Sequence, residues 1–191
     1  MRCTKNTCAA GSPASGFTMI ELMIVASVLL LTLLFFSQSM GSTAALSGVN
    51  RETGLATEGA REIVERMQGT EDFARVFRLY NDYPDDDPNG PGTAPGAGFA
   101  VAGLEPTDDD PDGLVGEIRF PTVPGPAGPQ LREDVVDDAL GMPRDLDGDG
   151  LPPDALDKKD TYRLLPVELT LRWKGKTGVR SIQLQTLLAN R

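Results

Sequence analysis

Asp145, Asp147 and Asp149 alternate along "DLDGDGLPPDALD", residues 145–157, and Gly150 follows to permit a sharp turn. Carboxylates at this spacing can aim their oxygens at one point, and hard oxygen ligands in a flexible loop suit calcium. A main-chain carbonyl at Leu151 and carboxylates at Asp154 and Asp157 complete the candidate ligand set. Magnesium fits less well, because it prefers few protein ligands in rigid octahedral geometry. The competing reading of the same residues is an acidic turn facing solvent. A second acid cluster, "TDDDPDG" at 107–113, lacks the alternating spacing and reads as solvated.

Glu21 poses a different problem. It is the only charged residue between Phe17 and Asn50, and it stands near the start of the apolar run 17–36. That run would span about 30 Å as a helix, the thickness of a bilayer core. An ionised acid in hydrocarbon costs several kcal/mol, so it persists there for a function and with a partner. Arg2 and Lys5 precede the run and no acid does, which keeps the N-terminus cytoplasmic and sends the rest of the chain across the membrane. A conventional secretory signal has a shorter apolar core, and a plain anchor leaves Glu21 unexplained.

Other chemistry is poorly supplied. The 191-residue chain has no histidine, which removes the commonest general base and most zinc or copper sites. Its two cysteines, Cys3 and Cys8, both precede the apolar run, and beyond Ser47 the sole serine is Ser181. No catalytic residue is assigned, and an enzyme is not expected. A formal charge of −10 argues against a nucleic-acid partner. Arg172, Lys174, Lys176 and Arg180 are the one place where a basic patch could gather.

These residues need elements to position them. No proline occurs between Pro13 and Pro84, and Ala56, Ala60, Ile63, Met67, Thr70, Ala74 and Phe77 recur at helical spacing. An amphipathic helix over 41–80 is expected to continue the apolar one. Gly41, Gly48 and Gly54 each weaken it by about 1 kcal/mol relative to alanine, so local bending or melting is expected there. The Pro/Gly-rich stretch 81–98 reads as a loop without regular structure. Strands are expected at 114–120, 162–174 and 179–188, and the turn containing Gly175 and Gly178 joins the last two as a hairpin. Trp173 falls on the apolar face of that hairpin and reads as a core aromatic. The fold class is α+β, a long N-terminal helix packed on a small antiparallel sheet.

"GFTMIELMIV", residues 16–25, resembles the prepilin-type cleavage and methylation motif of type IV pilins and type II secretion pseudopilins. The resemblance implies cleavage after Gly16 by a prepilin peptidase and N-methylation of Phe17. It also implies that Glu21, the fifth mature residue, pairs with the N-terminal amine of a neighbouring subunit during assembly. The expected organisation is a leader at 1–16, a transmembrane assembly helix at 17–40, an amphipathic helix at 41–80 and a loop-rich β-sheet domain at 81–191. Both cysteines would leave with the leader.

The implied fold is pilin-like, and the implied partners are other pilin or pseudopilin subunits and an inner-membrane assembly platform. The implied location is the bacterial inner membrane, single-pass with a periplasmic C-terminal domain, and then a filament or the cell surface. The C-terminal hairpin pattern resembles those of minor pilins, and the glycine-rich loops without a disulfide favour a minor subunit. A minor pseudopilin of a type II secretion system shares the same anchor. From another class, a membrane-anchored calcium-dependent adhesin also accommodates the acidic loop. That loop resembles the first half of an EF-hand, D-x-D-x-D-G, but Leu156 stands where its closing acid is expected. Asp154 and Asp157 fall one place beyond the acids of thrombospondin-type "DGLPD" repeats, as though a proline were inserted at Pro152 or Pro153.

Overall fold

The computed structural model describes residues 16–176 and 178–190, apart from the side chains of 41–45. Residues 1–15, with Cys3 and Cys8, lie outside the described residues and with them most of the expected leader, as do Thr177 and Arg191. The chain is α+β and divides into two compact units, Met1–Ala44 and Ala45–Arg191. Helix α1, Met19–Gln68, contributes to both.

In the first unit, Met19–Met40 has a mean hydropathy of 2.6 and none of it is buried within the chain. By length and composition this helix could anchor the protein in a membrane. The hydroxyls of Ser27 and Thr32 bond back to the carbonyls of Ile24 and Leu29, so neither is left bare on the apolar surface. Of the bending or melting expected around Gly41, Gly48 and Gly54, melting does not occur: α1 stays helical through all three. Glycine weakens a helix but keeps its N–H, and no proline is present to break the ladder.

The second unit closes a core of its own. Ala56, Ala60, Ile63 and Met67 are buried, as the sequence stripe requires. The helix does not reach residue 80. It ends at Gln68, where the Gly69 N–H bonds to the Glu65 carbonyl at 2.9 Å. Asp72 then caps a 3-10 turn, Phe73–Arg75, by accepting from the Ala74 N–H, and α2, Val76–Tyr80, follows. The break changes which residues face inward: Phe77 is buried, but Ala74 is exposed.

The main sheet is antiparallel with strand order β1-β2-β5-β6. Its strands are β1, Gly98–Phe99; β2, Gly116–Arg119; β5, Leu164–Gly175; and β6, Gly178–Ala189. A separate hairpin pairs β3, Thr122–Gly125, with β4, Gly128–Leu131. Leu165, Val167, Leu169, Leu171 and Trp173 alternate along β5 and are all buried. Each fully buried side chain of this kind contributes about 1.5–3 kcal/mol. Trp173 is a core residue, its indole N–H 3.4 Å from a Glu52 carboxylate oxygen. At Gly116 the Phe99 ring lies so close that an added Cβ would come within 2.2 Å of it. Only glycine admits that contact between β1 and β2.

Candidate functional sites

The acidic loop is pinned to the core by Leu146, between Asp145 and Asp147. Leu146 is fully buried, and its carbonyl accepts from the N–H groups of Arg163 at 2.7 Å and Leu164 at 2.9 Å, at the start of β5. At the other end, the Lys158 N–H bonds to the carbonyl of Leu131 in β4 at 2.8 Å. Between these points the aspartates organise the backbone. Asp145 accepts from the N–H groups of Gly148 and Gly150, Asp147 from Asp149, and Asp149 from Leu151. Gly148 and Gly150 have φ of +75° and +74°, the left-handed conformation that makes glycine the suitable residue at both turns.

The centre of the site is a residue that sequence reading passed over. Glu133 is 2% exposed. One of its oxygens accepts from the Leu146 N–H at 2.8 Å and the Asp147 N–H at 3.3 Å, and the other accepts from Asp154 at 3.3 Å. Lys158 is also buried. Its ammonium donates to Asp147 at 2.8 Å and to Asp154 at 3.3 Å, and it lies 3.6 Å from Glu133. The bond to Asp147 is the main influence holding the Lys158 ammonium above its ordinary pKa, against the opposing effect of burial. The same bond is the main influence lowering the Asp147 carboxyl.

Carboxylate oxygens of Glu133, Asp145 and Asp147 lie within 4.8 Å of one another, a grouping that could hold a metal ion. The six positions expected to act as ligands therefore divide. Asp145 and Asp147 converge with Glu133, and Asp154 joins the cage through Lys158. Asp149 and Leu151 are exposed on the outer turn. Asp157 instead accepts from the N–H groups of Leu131 and Lys159. Three carboxylates, Glu133, Asp147 and Asp154, thus share the Lys158 ammonium, and Asp145 lies beside them without contact to it. The fit to calcium is partial, because the ion takes six to eight oxygens and three converge here. No spacing rule points to Glu133: it stands in "LRED", well before the loop it holds.

The second acid cluster is tied down as well as solvated. Lys174 bonds both carboxylate oxygens of Asp108, at 2.8 and 2.7 Å, and Arg172 reaches Asp109 at 3.4 Å. Arg172 and Lys174 are thereby matched within the chain, and Arg180 lies 3.9 Å from Glu52.

At the N-terminal end, an added Cβ at Gly16 would meet nothing within 4 Å, and Phe17 is 80% exposed. Glu21 lies in the first turn of α1, and its N–H donates to the Thr18 hydroxyl at 3.3 Å. Acids are favoured in a first turn by the helix dipole, but only by about 0.3–1 kcal/mol when exposed. No protein-family model matches the chain, and neither a curated protein nor a solved structure does so.

Proposed function

We propose that the protein is a structural subunit, most simply a minor one, of a type IV pilus or a pilus-like filament. The observation that carries this reading is the placement of Gly16, Phe17 and Glu21 at the head of an apolar helix with no cover from its own chain. Cleavage after Gly16 creates a new amine at Phe17, which a prepilin peptidase then methylates. In a low-dielectric setting that amine attracts a neighbouring subunit's Glu21 carboxylate, and an unpaired Glu21 is penalised. The pair sets the axial register as subunits enter the filament from the inner-membrane platform. The domain from residue 45 onward is displayed in the periplasm and then on the filament. A minor pseudopilin of a type II secretion system uses the same anchor chemistry. The protein acts by assembly, with no catalytic step of its own.

The test is the intact mass and N-terminal sequence of the membrane-extracted protein, with and without co-expressed prepilin peptidase. A chain beginning at N-methylated Phe17 is expected with the peptidase. A chain still beginning at Met1 in its presence overturns the reading and favours a membrane-anchored binding module.

Calcium binding at the acid cage is a second reading, favoured by the convergence of Glu133, Asp145 and Asp147. Asp145 and Asp147 would hold the ion with Glu133, and its role would be to fix the loop. Titration of the full chain with calcium should give a saturable heat and a rise in Tm. Both should vanish in Asp145→Asn, and absence of either in the unaltered chain rules the site out.

A further inference from the structure

The main sheet has two edges of different kinds. On one side it ends in β1, of two residues, and on the other in β6, of twelve, about 40 Å of extended backbone. Exposed edges are ordinarily protected by charges, prolines or short length, because their free N–H and C=O groups can pair with another strand. β6 holds no proline, and from Ser181 to Ala189 it is uncharged.

The register shows which groups are free. Gly175 and Gly178 close a two-residue connection and so exchange hydrogen bonds, after which bonded and non-bonded pairs alternate. The other side of β5 agrees: the N–H groups of Arg172 and Lys174 bond away from β6, to the carbonyls of Val115 and Glu105. The N–H and C=O groups of Val179, Ser181, Gln183, Gln185 and Leu187 therefore face outward, and among the described residues no other backbone group bonds to them. Cover is also incomplete on the core-facing side of β6. Leu169 and Leu171 are buried, but their partners are Leu184, 38% exposed, and Ile182, half-buried. A further strand beyond β6 would cover both.

Charge and register together select the occupant. A net charge of −10 opposes the approach of two copies, and the nine uncharged residues from Ser181 to Ala189 add nothing to that opposition. Arg180, the one charge on the strand, lies 3.9 Å from Glu52. Behind Gln185, Glu168 is buried and paired with Arg119. Paired antiparallel about Leu184, the strand also complements itself. Leu184 meets Leu184, Ile182 meets Thr186, and Gln183 meets Gln185, whose amides can bond across the pair.

We propose that β6 is a docking edge for β6 of a second copy, the two strands running antiparallel about Leu184 and joining two four-stranded sheets into one. The pairing is closed by two-fold symmetry and adds no third copy, so it belongs to the subunit outside a growing filament. It does not depend on the anchor reading.

The test uses the full chain in detergent, with Cys3→Ser, Cys8→Ser and one added cysteine on β6. At Leu184→Cys the thiols face each other across a non-hydrogen-bonded pair, with Cβ atoms about 4.5–5.5 Å apart, near disulfide reach. At Thr186→Cys they are out of step by about four residues, or about 13 Å. Mild oxidation should link Leu184→Cys several-fold more than Thr186→Cys. Gln183→Lys, at an exposed position, puts like charges on either side of the axis. It should lower the link at Leu184→Cys several-fold without moving the denaturation midpoint. With no cysteine added, hydrogen exchange at Ser181, Gln183, Gln185 and Leu187 should be several-fold slower than at the same positions in Gln183→Lys. Equal linking at both cysteine positions, or a link that Gln183→Lys leaves unchanged, overturns the pairing. Exchange equally fast in both chains also overturns it, and leaves the edge to a strand from a different polypeptide. Association through the apolar helix alone would not select between Leu184 and Thr186, so failure of the pairing leaves the filament reading standing.

Discussion

Between Met19 and Met40 the large apolar side chains are 54–87% exposed, whereas Ala56, Ala60, Ile63 and Met67, further along the same helix, are buried. The two acids that govern these regions differ in the same way. Glu133 is enclosed and accepts from three backbone N–H groups beside a lysine. Glu21 stands on the apolar stretch with no side-chain partner among the described residues. The folded unit satisfies its buried charge from its own sequence. The apolar region finds neither cover nor, among the described residues, a counter-charge for Glu21 within the chain, as the proposed assembly role would require.

The strongest way to break this comparison is to remove what the folded unit supplies to itself. Glu133→Ala leaves the N–H groups of Leu146, Asp147 and Asp154 without their acceptor. It should cost about 3–5 kcal/mol, read as a lowered denaturation midpoint for the full chain. Lys158→Met should cost a similar amount, since the carboxylates then face one another without an ammonium. Calcium sharpens this case. If the cage accepts a divalent ion, calcium should restore more stability to Lys158→Met than it adds to the unaltered chain, and equal effects would argue against the site.

Tyr162→Phe should have the next largest effect. The phenol donates to the Phe73 carbonyl and accepts from the Phe77 N–H, joining the start of β5 to the capped turn and α2. Burial pushes its pKa up to about 12. Removing the hydroxyl leaves a buried N–H and a carbonyl unpaired, at a cost of about 1–3 kcal/mol. Hydrogen exchange should show Val76–Tyr80 opening more readily while β5 keeps its protection. Equal loss in both would mean that the turn and the sheet unfold as one.

How much of this was legible follows from where the interactions lie. Alternation along β5 and β6 is local, so both strands and the buried Trp173 could be read from neighbouring residues. The end of α1 was missed because Thr70, Ala74 and Phe77 continue the stripe numerically across a break that Asp72 caps. Strands β3 and β4 were missed because Pro124, Gly125, Gly128 and Pro129 are turn-forming residues that pair only because β3 and β4 fold back on each other. In the acid site, Asp145 and Asp147 advertised themselves by spacing. Glu133 and Lys158 act through contacts across the chain, and no local pattern marks them.

The pH dependence should be gentler. Asp147 is lowered in the folded chain, so its contribution is complete above the ordinary aspartate value of about 3.9 and is lost as pH falls through the lowered folded value. Lys158 is raised, so its contribution is complete below about 10.4 and is lost only as pH rises through the raised value. Stability should therefore be flat with respect to this pair from about pH 5 to pH 10. In Lys158→Met the acid limb should become shallower, because Asp147 no longer gains a partner on folding. An unchanged limb would assign acid sensitivity to other carboxylates.

Glu21→Gln should have the smallest effect on folding and a decisive one on assembly. Among the described residues its carboxylate has no ion pair or hydrogen bond, so the denaturation midpoint of the folded unit should stay within about 0.5 kcal/mol of the unaltered chain. Cleavage after Gly16 and insertion of the helix should also persist, since neither depends on a charge within the apolar stretch. Incorporation into filaments, read by co-purification with sheared filaments, should fall sharply, because the amine of Phe17 loses its counter-charge where water cannot supply one. If Glu21→Gln instead enters filaments normally, the carboxylate is not the assembly partner. If it destabilises the folded unit, the division between a self-sufficient region and a dependent one fails, and α1 carries strain or contacts from one into the other.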